Sequence, residues 1–68
     1  MTVRVQDEVA PAYRAHCPTC RKSGRQFRSY GLAEQAAGGH TDKFRHTTYV
    51  IDHYGVRVTG STQRPEPT

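Results

Sequence analysis

Val3 and Val5 alternate with polar neighbours over residues 1–6, a period-two pattern that predicts a short edge strand. Residues 7–11 read as a connection that Pro11 closes. Residues 13–16 lead into Cys17, where a short strand would deliver a first thiolate, and Pro18 favours a tight turn before Cys20. Residues 21–25 are polar and contain Gly24, as a turn would. Over residues 26–30, Phe27 and Ser29 alternate with Arg28 and Tyr30, which predicts a return strand against residues 13–17.

The period then changes. Residues 32–37 are the only stretch rich in good helix formers, with Ser29 as the expected N-cap and Gly38-Gly39 as the stop. A helix of about two turns does not persist without tertiary support. Residues 40–46 read as a polar loop anchored by Phe44. Residues 47–51 carry the strongest β signal, residues 52–55 a turn and residues 56–59 a second alternation, together a hairpin that the Val3/Val5 strand could join. The Pro-containing end reads as a frayed tail. The expectation is a small α+β fold over residues 1–60, with residues 61–68 disordered and no internal repeat.

Such a chain has little to bury. Among 68 residues 34% are hydrophobic, with no Trp and a single Met. Chains of this size gain only a few kcal/mol from their cores and commonly need a metal, a disulfide or a partner. Cys17-Pro-Thr-Cys20, followed by His40 and His46, supplies a candidate: C-x2-C-x19-H-x5-H approximates a tetrahedral zinc site of two thiolates and two imidazoles. With no apolar run of signal or membrane-spanning length, a reducing cytoplasm is expected, where such a cysteine pair binds metal or is redox-active. His40, at the end of the short helix, would swing over the cysteine turn, with His46 as fourth ligand. Glu34, His53 and His16 compete for that place, although His16 adjoins Cys17 and would point away from it in an extended strand. The inter-pair spacing of 19 exceeds the roughly 12 of a DNA-reading finger. Such a finger also carries both histidines on one helix, which Gly38-Gly39 would interrupt here.

From Cys17 to Val58 the chain resembles small uncharacterised zinc-finger-like proteins of actinobacteria and their phages. The resemblance rests on Cys17 and Cys20, Leu32-Ala33, Gly39-His40-Thr41, Phe44-Arg45 and Arg57-Val58. It implies a zinc-stabilised domain and no particular activity. Those proteins have a histidine six residues before their Gly-His-Thr, where this chain has Glu34. Either Glu34 or His46 then completes the site, or the protein supplies only three ligands.

The formal charge of +4 and a pI near 9.5 come with eight arginines among ten basic residues. A zinc ion bound by two thiolates and two neutral imidazoles is neutral overall, so this charge survives metal binding. Arginine suits bidentate phosphate contacts and stacking on bases. Arg14, Arg21, Lys22, Arg25 and Arg28, interleaved with Tyr13, Phe27 and Tyr30, make nucleic acid the expected partner. Phe27 and Phe44 are expected in the core. The alternative is a phage-like adaptor that docks a host protein on the edge of residues 47–51. An enzyme is not expected. The cysteine pair lacks the helix N-terminus of a redox motif, and the chain leaves little room for a substrate pocket.

Overall fold

The computed structural model describes residues 12–66. Its elements are β1 (Arg14–Cys17), β2 (Lys22–Ser23), α1 (Tyr30–Phe44) and β3 (Tyr49–Ile51). The three strands form an antiparallel sheet in the order β2-β1-β3, with Ala15 opposite Val50 and His16 opposite both Ser23 and Tyr49. This is the small α+β fold expected. No helix among the described residues is long and apolar enough to cross a membrane. The anticipated Val3/Val5 strand lies outside the described residues.

The turn of the first hairpin is tighter than the residue pattern indicates. Lys22 and Ser23, which read as turn residues, already pair with Cys17 and His16. The return strand predicted over residues 26–30 shrinks to one bridge between Tyr13 and Phe27, closed by two 2.8 Å backbone bonds. Arg21 makes this possible: it takes a left-handed conformation (φ 58°) and its amide donates to the Cys17 carbonyl at 2.8 Å.

Ser29 caps α1 as expected, its Oγ accepting from the Leu32 amide at 3.3 Å. The stop at Gly38-Gly39 does not occur. The helix runs through both glycines for 15 residues and ends at Arg45, which is left-handed (φ 61°) and donates its amide to the Thr41 carbonyl. Each interior glycine costs about 1 kcal/mol relative to alanine. Against that cost, the continued helix buries Thr41, whose hydroxyl donates to the Gln63 carbonyl, and brings His40 to Cys20. The buried residues of α1, Ala33, Ala37 and Thr41, recur every fourth position and so form one stripe.

Small side chains set the distance between layers. The core cluster is Ala15, Ala33, Ala37 and Val50, flanked by Tyr13, Phe27, Tyr30, Ala36 and Val58. Val50 is the largest side chain fully enclosed. Tyr13 and Tyr30 meet edge to face at 5.8 Å. Phe27 packs against this cluster as expected, but Phe44 is 49% exposed and does not belong to it.

The C-terminal hairpin is only partly regular. Beyond β3 the chain turns at residues 52–55 and returns as one Ile51–Arg57 bridge and a bond from the Val58 amide to the Val50 carbonyl. The Asp52 carboxylate shapes this turn by accepting from the amides of Tyr54 (2.9 Å) and Val56 (3.0 Å). Donation from Val56 and then Tyr54 outweighs partial burial and holds Asp52 below the usual carboxylate range.

Residues 61–66 correct the expectation of a tail. Ser61 is fully buried, and its Oγ accepts from the Val50 amide at 3.0 Å. Thr48 and Gln63 exchange two backbone bonds, and Thr41 donates its hydroxyl to the Gln63 carbonyl. The polar composition that suggests fraying is used here to pair backbone groups along β3. The edge of residues 47–51 is therefore not open as an adaptor edge would need, because β1 lies on one side and Arg57 and Gln63 bridge the other.

Stability should respond at two positions. A methyl group at Gly39 meets nothing within 4 Å, so Gly39→Ala should stabilise the fold by about 1 kcal/mol in urea denaturation. Asp52 contributes stability that is complete above its unfolded pKa of about 3.9 and is lost as pH falls through its lower folded value. Thermal melts at descending pH should therefore show an acid-sensitive component that Asp52→Asn removes.

Candidate metal centre

Two local geometries bring four donors together. At the end of β1, Cys17 enters a turn in which the Cys20 amide donates to the Cys17 sulfur at 3.4 Å. This places both sulfurs on one side of the hairpin. Facing them, His40 occupies the last turns of α1, and the left-handed Arg45 reverses the chain so that His46 returns beside it. The two imidazole centroids are 5.5 Å apart.

The donor atoms of Cys17, Cys20, His40 and His46 all lie within 4.8 Å of one another. Cys17 Sγ is 3.5 Å from His46 Nδ1, Cys20 Sγ is 3.5 Å from the same nitrogen, and Cys20 Sγ is 3.6 Å from His40 Nε2. A tetrahedral ion with metal–sulfur bonds of about 2.3 Å and metal–nitrogen bonds of about 2.05 Å separates sulfur from nitrogen by about 3.6 Å. The residues thus fit a four-coordinate metal in donor type, number and spacing. The cluster could hold a metal ion.

The competing ligands lie elsewhere. Among the described residues, the cluster includes none of Glu34, His16 and His53. Glu34 precedes His40 by six residues, which on an α-helix turns it about 120° away. Its carboxylate accepts instead from the Tyr30 hydroxyl at 3.3 Å. Burial, and then the neighbouring Glu34 charge, push the Tyr30 phenol above its usual value. His16 Nδ1 contacts Ser23 Oγ at 2.9 Å, and His53 packs on Tyr54 in the hairpin turn.

The two thiols are unequal. Burial raises Cys17, but donation from the Cys20 amide, the Cys20 thiol, the Thr19 amide and the Thr48 hydroxyl outweighs it and leaves Cys17 below the usual thiol value. Cys20 is raised, mainly by its own bond to Cys17, then by burial and by the Cys17 charge. Cys17 is thus the first thiolate of the pair.

Phe44 lies one turn beyond His40, its ring 4.7 Å from His40 and 6.0 Å from His46, and the Lys43 ammonium is 5.3 Å from the same ring. Beside this cluster opens a cleft of about 420 Å³. One wall carries Cys17, Cys20 and His40; Ala15, Ala36 and Phe44 give it apolar surface, and Lys22, Ser23 and Gly24 come from β2 and its exit. The residue pattern gives no sign of this cleft. The stripe 36-40-44, one step round α1 from the buried stripe, becomes visible only once the helix is known to continue past Gly39.

Arg14, Arg21, Lys22, Arg25 and Arg28 are all exposed on the first hairpin and its exit. Arg14 is engaged, donating to the Gly24 carbonyl and to Gln26, both at 3.2 Å. The Arg25 guanidinium lies 5.0 Å from the Phe27 ring centroid. Comparison with protein-family models, curated proteins and solved structures finds no match to this chain.

In metal-free, reduced protein with both cysteines present, thiolate absorbance in the ultraviolet should rise with pH in two steps, the first below and the second above the ordinary thiol value.

Proposed function

We propose that this chain is a zinc-stabilised binding module in which the metal is structural and the basic first hairpin engages nucleic acid. The observation that carries the metal reading is the convergence of two sulfurs and two imidazole nitrogens at the sulfur–nitrogen spacing of a tetrahedral site. Soft thiolates with imidazoles are the donor set of structural zinc, which closes its shell with four protein ligands. A closed shell leaves no position for a substrate or an activated water, so a binding role accounts for the site better than catalysis does.

Energetics favour the same reading. Four small residues form the core cluster. Structural zinc in finger peptides supplies roughly 10–16 kcal/mol at neutral pH, well above what such a core contributes. When bound, the ion fastens the end of α1 to the end of β1, while Ser29 and the alanine stripe hold the other end of the helix.

Charge supports the partner. From Val9 to Ala33 the sequence contains no Asp or Glu, and the described part of that stretch carries Arg14, Arg21, Lys22, Arg25 and Arg28. Five cations without an acidic neighbour in sequence suit a phosphate backbone.

The test is metal content by elemental mass spectrometry, with circular dichroism before and after EDTA. The expected result is a single zinc per chain, lost on chelation together with helical signal and regained on adding zinc. His40→Ala and His46→Ala should each lose tight zinc, whereas Glu34→Gln should keep it. A protein without metal that remains folded in EDTA would overturn the reading.

A further inference from the structure

The cations and the cleft adjoin one another, and together they discriminate between forms of nucleic acid. Residues 30–40, the first three turns of α1, contain no Lys or Arg, so this helix is poorly suited to entering the major groove of a duplex. The positive charge sits instead on the knuckle and β2. Lys22, Ser23 and Gly24 form part of the cleft lining, while Arg21 and Arg25 flank them in sequence and are exposed.

The cleft itself has the wrong character for phosphate and the right one for a base. Ala15, Ala36 and the half-exposed ring of Phe44 give it apolar walls, and about 420 Å³ is the size of a small-ligand site. Lys22, which pairs with Cys17 across the hairpin, puts a cation at that lining. Bases in a duplex are stacked and cannot enter such a space, whereas a single strand can turn a base out of its stack.

We infer that the cleft beside the metal centre receives an unstacked base of a single-stranded nucleic acid, with the adjoining phosphates on Arg21, Lys22 and Arg25. This rests on the nucleic-acid reading above and specifies its substrate. Phe44 is the stacking surface. Because Phe44 also packs on His40 and His46, metal binding sets the ring's position, and removal of the metal removes the base site with it.

The experiment is fluorescence anisotropy of zinc-loaded protein with a labelled oligothymidylate of about 12 nucleotides, and with a duplex of equal length. A polyglutamate peptide serves as the acidic-protein control. The single strand should bind about tenfold or more tightly than the duplex. Replacing Arg21, Lys22 and Arg25 by Ala should flatten the salt dependence by about 0.7 in log–log slope for each phosphate no longer neutralised. Phe44→Ala should weaken single-strand binding about tenfold and leave duplex binding unchanged. Gly24→Leu provides a second route: a Cβ there meets only the Ala15 carbonyl, at 3.8 Å, so the added side chain starts from open space at the cleft lining, and zinc content of the variant is measured alongside. If Phe44→Ala fails to hold zinc, Gly24→Leu decides, and it too should weaken the single strand selectively. Equal affinity for both nucleic acids, insensitive to these variants, would overturn the base site while leaving the basic face as a phosphate binder. Zinc-loaded protein that binds neither, or prefers polyglutamate, would overturn the nucleic-acid reading as well.

Discussion

The convergence of Cys17, Cys20, His40 and His46 is the constraint on which the rest of this structure depends. Among the described residues the largest fully enclosed side chain is Val50, a small core for holding a helix of 15 residues on a sheet of short strands. The alanine stripe anchors the helix through its middle, and the serine cap satisfies its start. Its final turns, which contain two glycines and the exposed Phe44, gain their place from the histidine that meets the cysteines. A metal held by this cluster would make coordination and helix docking one interaction seen from two sides.

Much of this is legible in the residues and some is not, for identifiable physical reasons. Cys17 and Cys20 are visible because a short C-x2-C turn is a local geometry, and His40 and His46 because few other side chains could complete it. The true helix end is hidden because the propensity of Gly38-Gly39 is a local cost, whereas the gain that outweighs it comes from residues distant in sequence. Ser61 is hidden for the opposite reason: a small hydroxyl in a polar stretch gives no periodic signal, yet it satisfies the Val50 amide inside the fold. Glu34 can be set aside only when the helix fixes its angle relative to His40. Phe44 suggests a core residue because its aromatic character is plain in the sequence, while its direction along the helix is not.

The helix also separates tasks by face. The stripe 33-37-41 is small and faces the sheet; the stripe 36-40-44, about 60° round, carries a small residue, an imidazole and an aromatic ring. Layer spacing and site chemistry are thereby written on neighbouring lines of one element. The basic residues of the first hairpin sit off the helix, and of these Lys22 reaches the cleft that the second stripe lines.

The left-handed cap at Arg45 gives the interval between His40 and His46 an unusual kind of specificity. The reversal works because the last turn of α1 is in phase with His40 and the chain then folds back over a fixed number of residues. Each inserted or deleted residue within the helical part would rotate the rest of the chain by about 100° and carry an imidazole off the cluster. The interval is thus coded by length more than by composition: Asp42 and Lys43 are exposed and supply no donor to the cluster, so it is their number that places His46. Across the turn at residues 52–55 the opposite holds, since no member of the cluster lies beyond it and a longer tip would leave the donor geometry untouched.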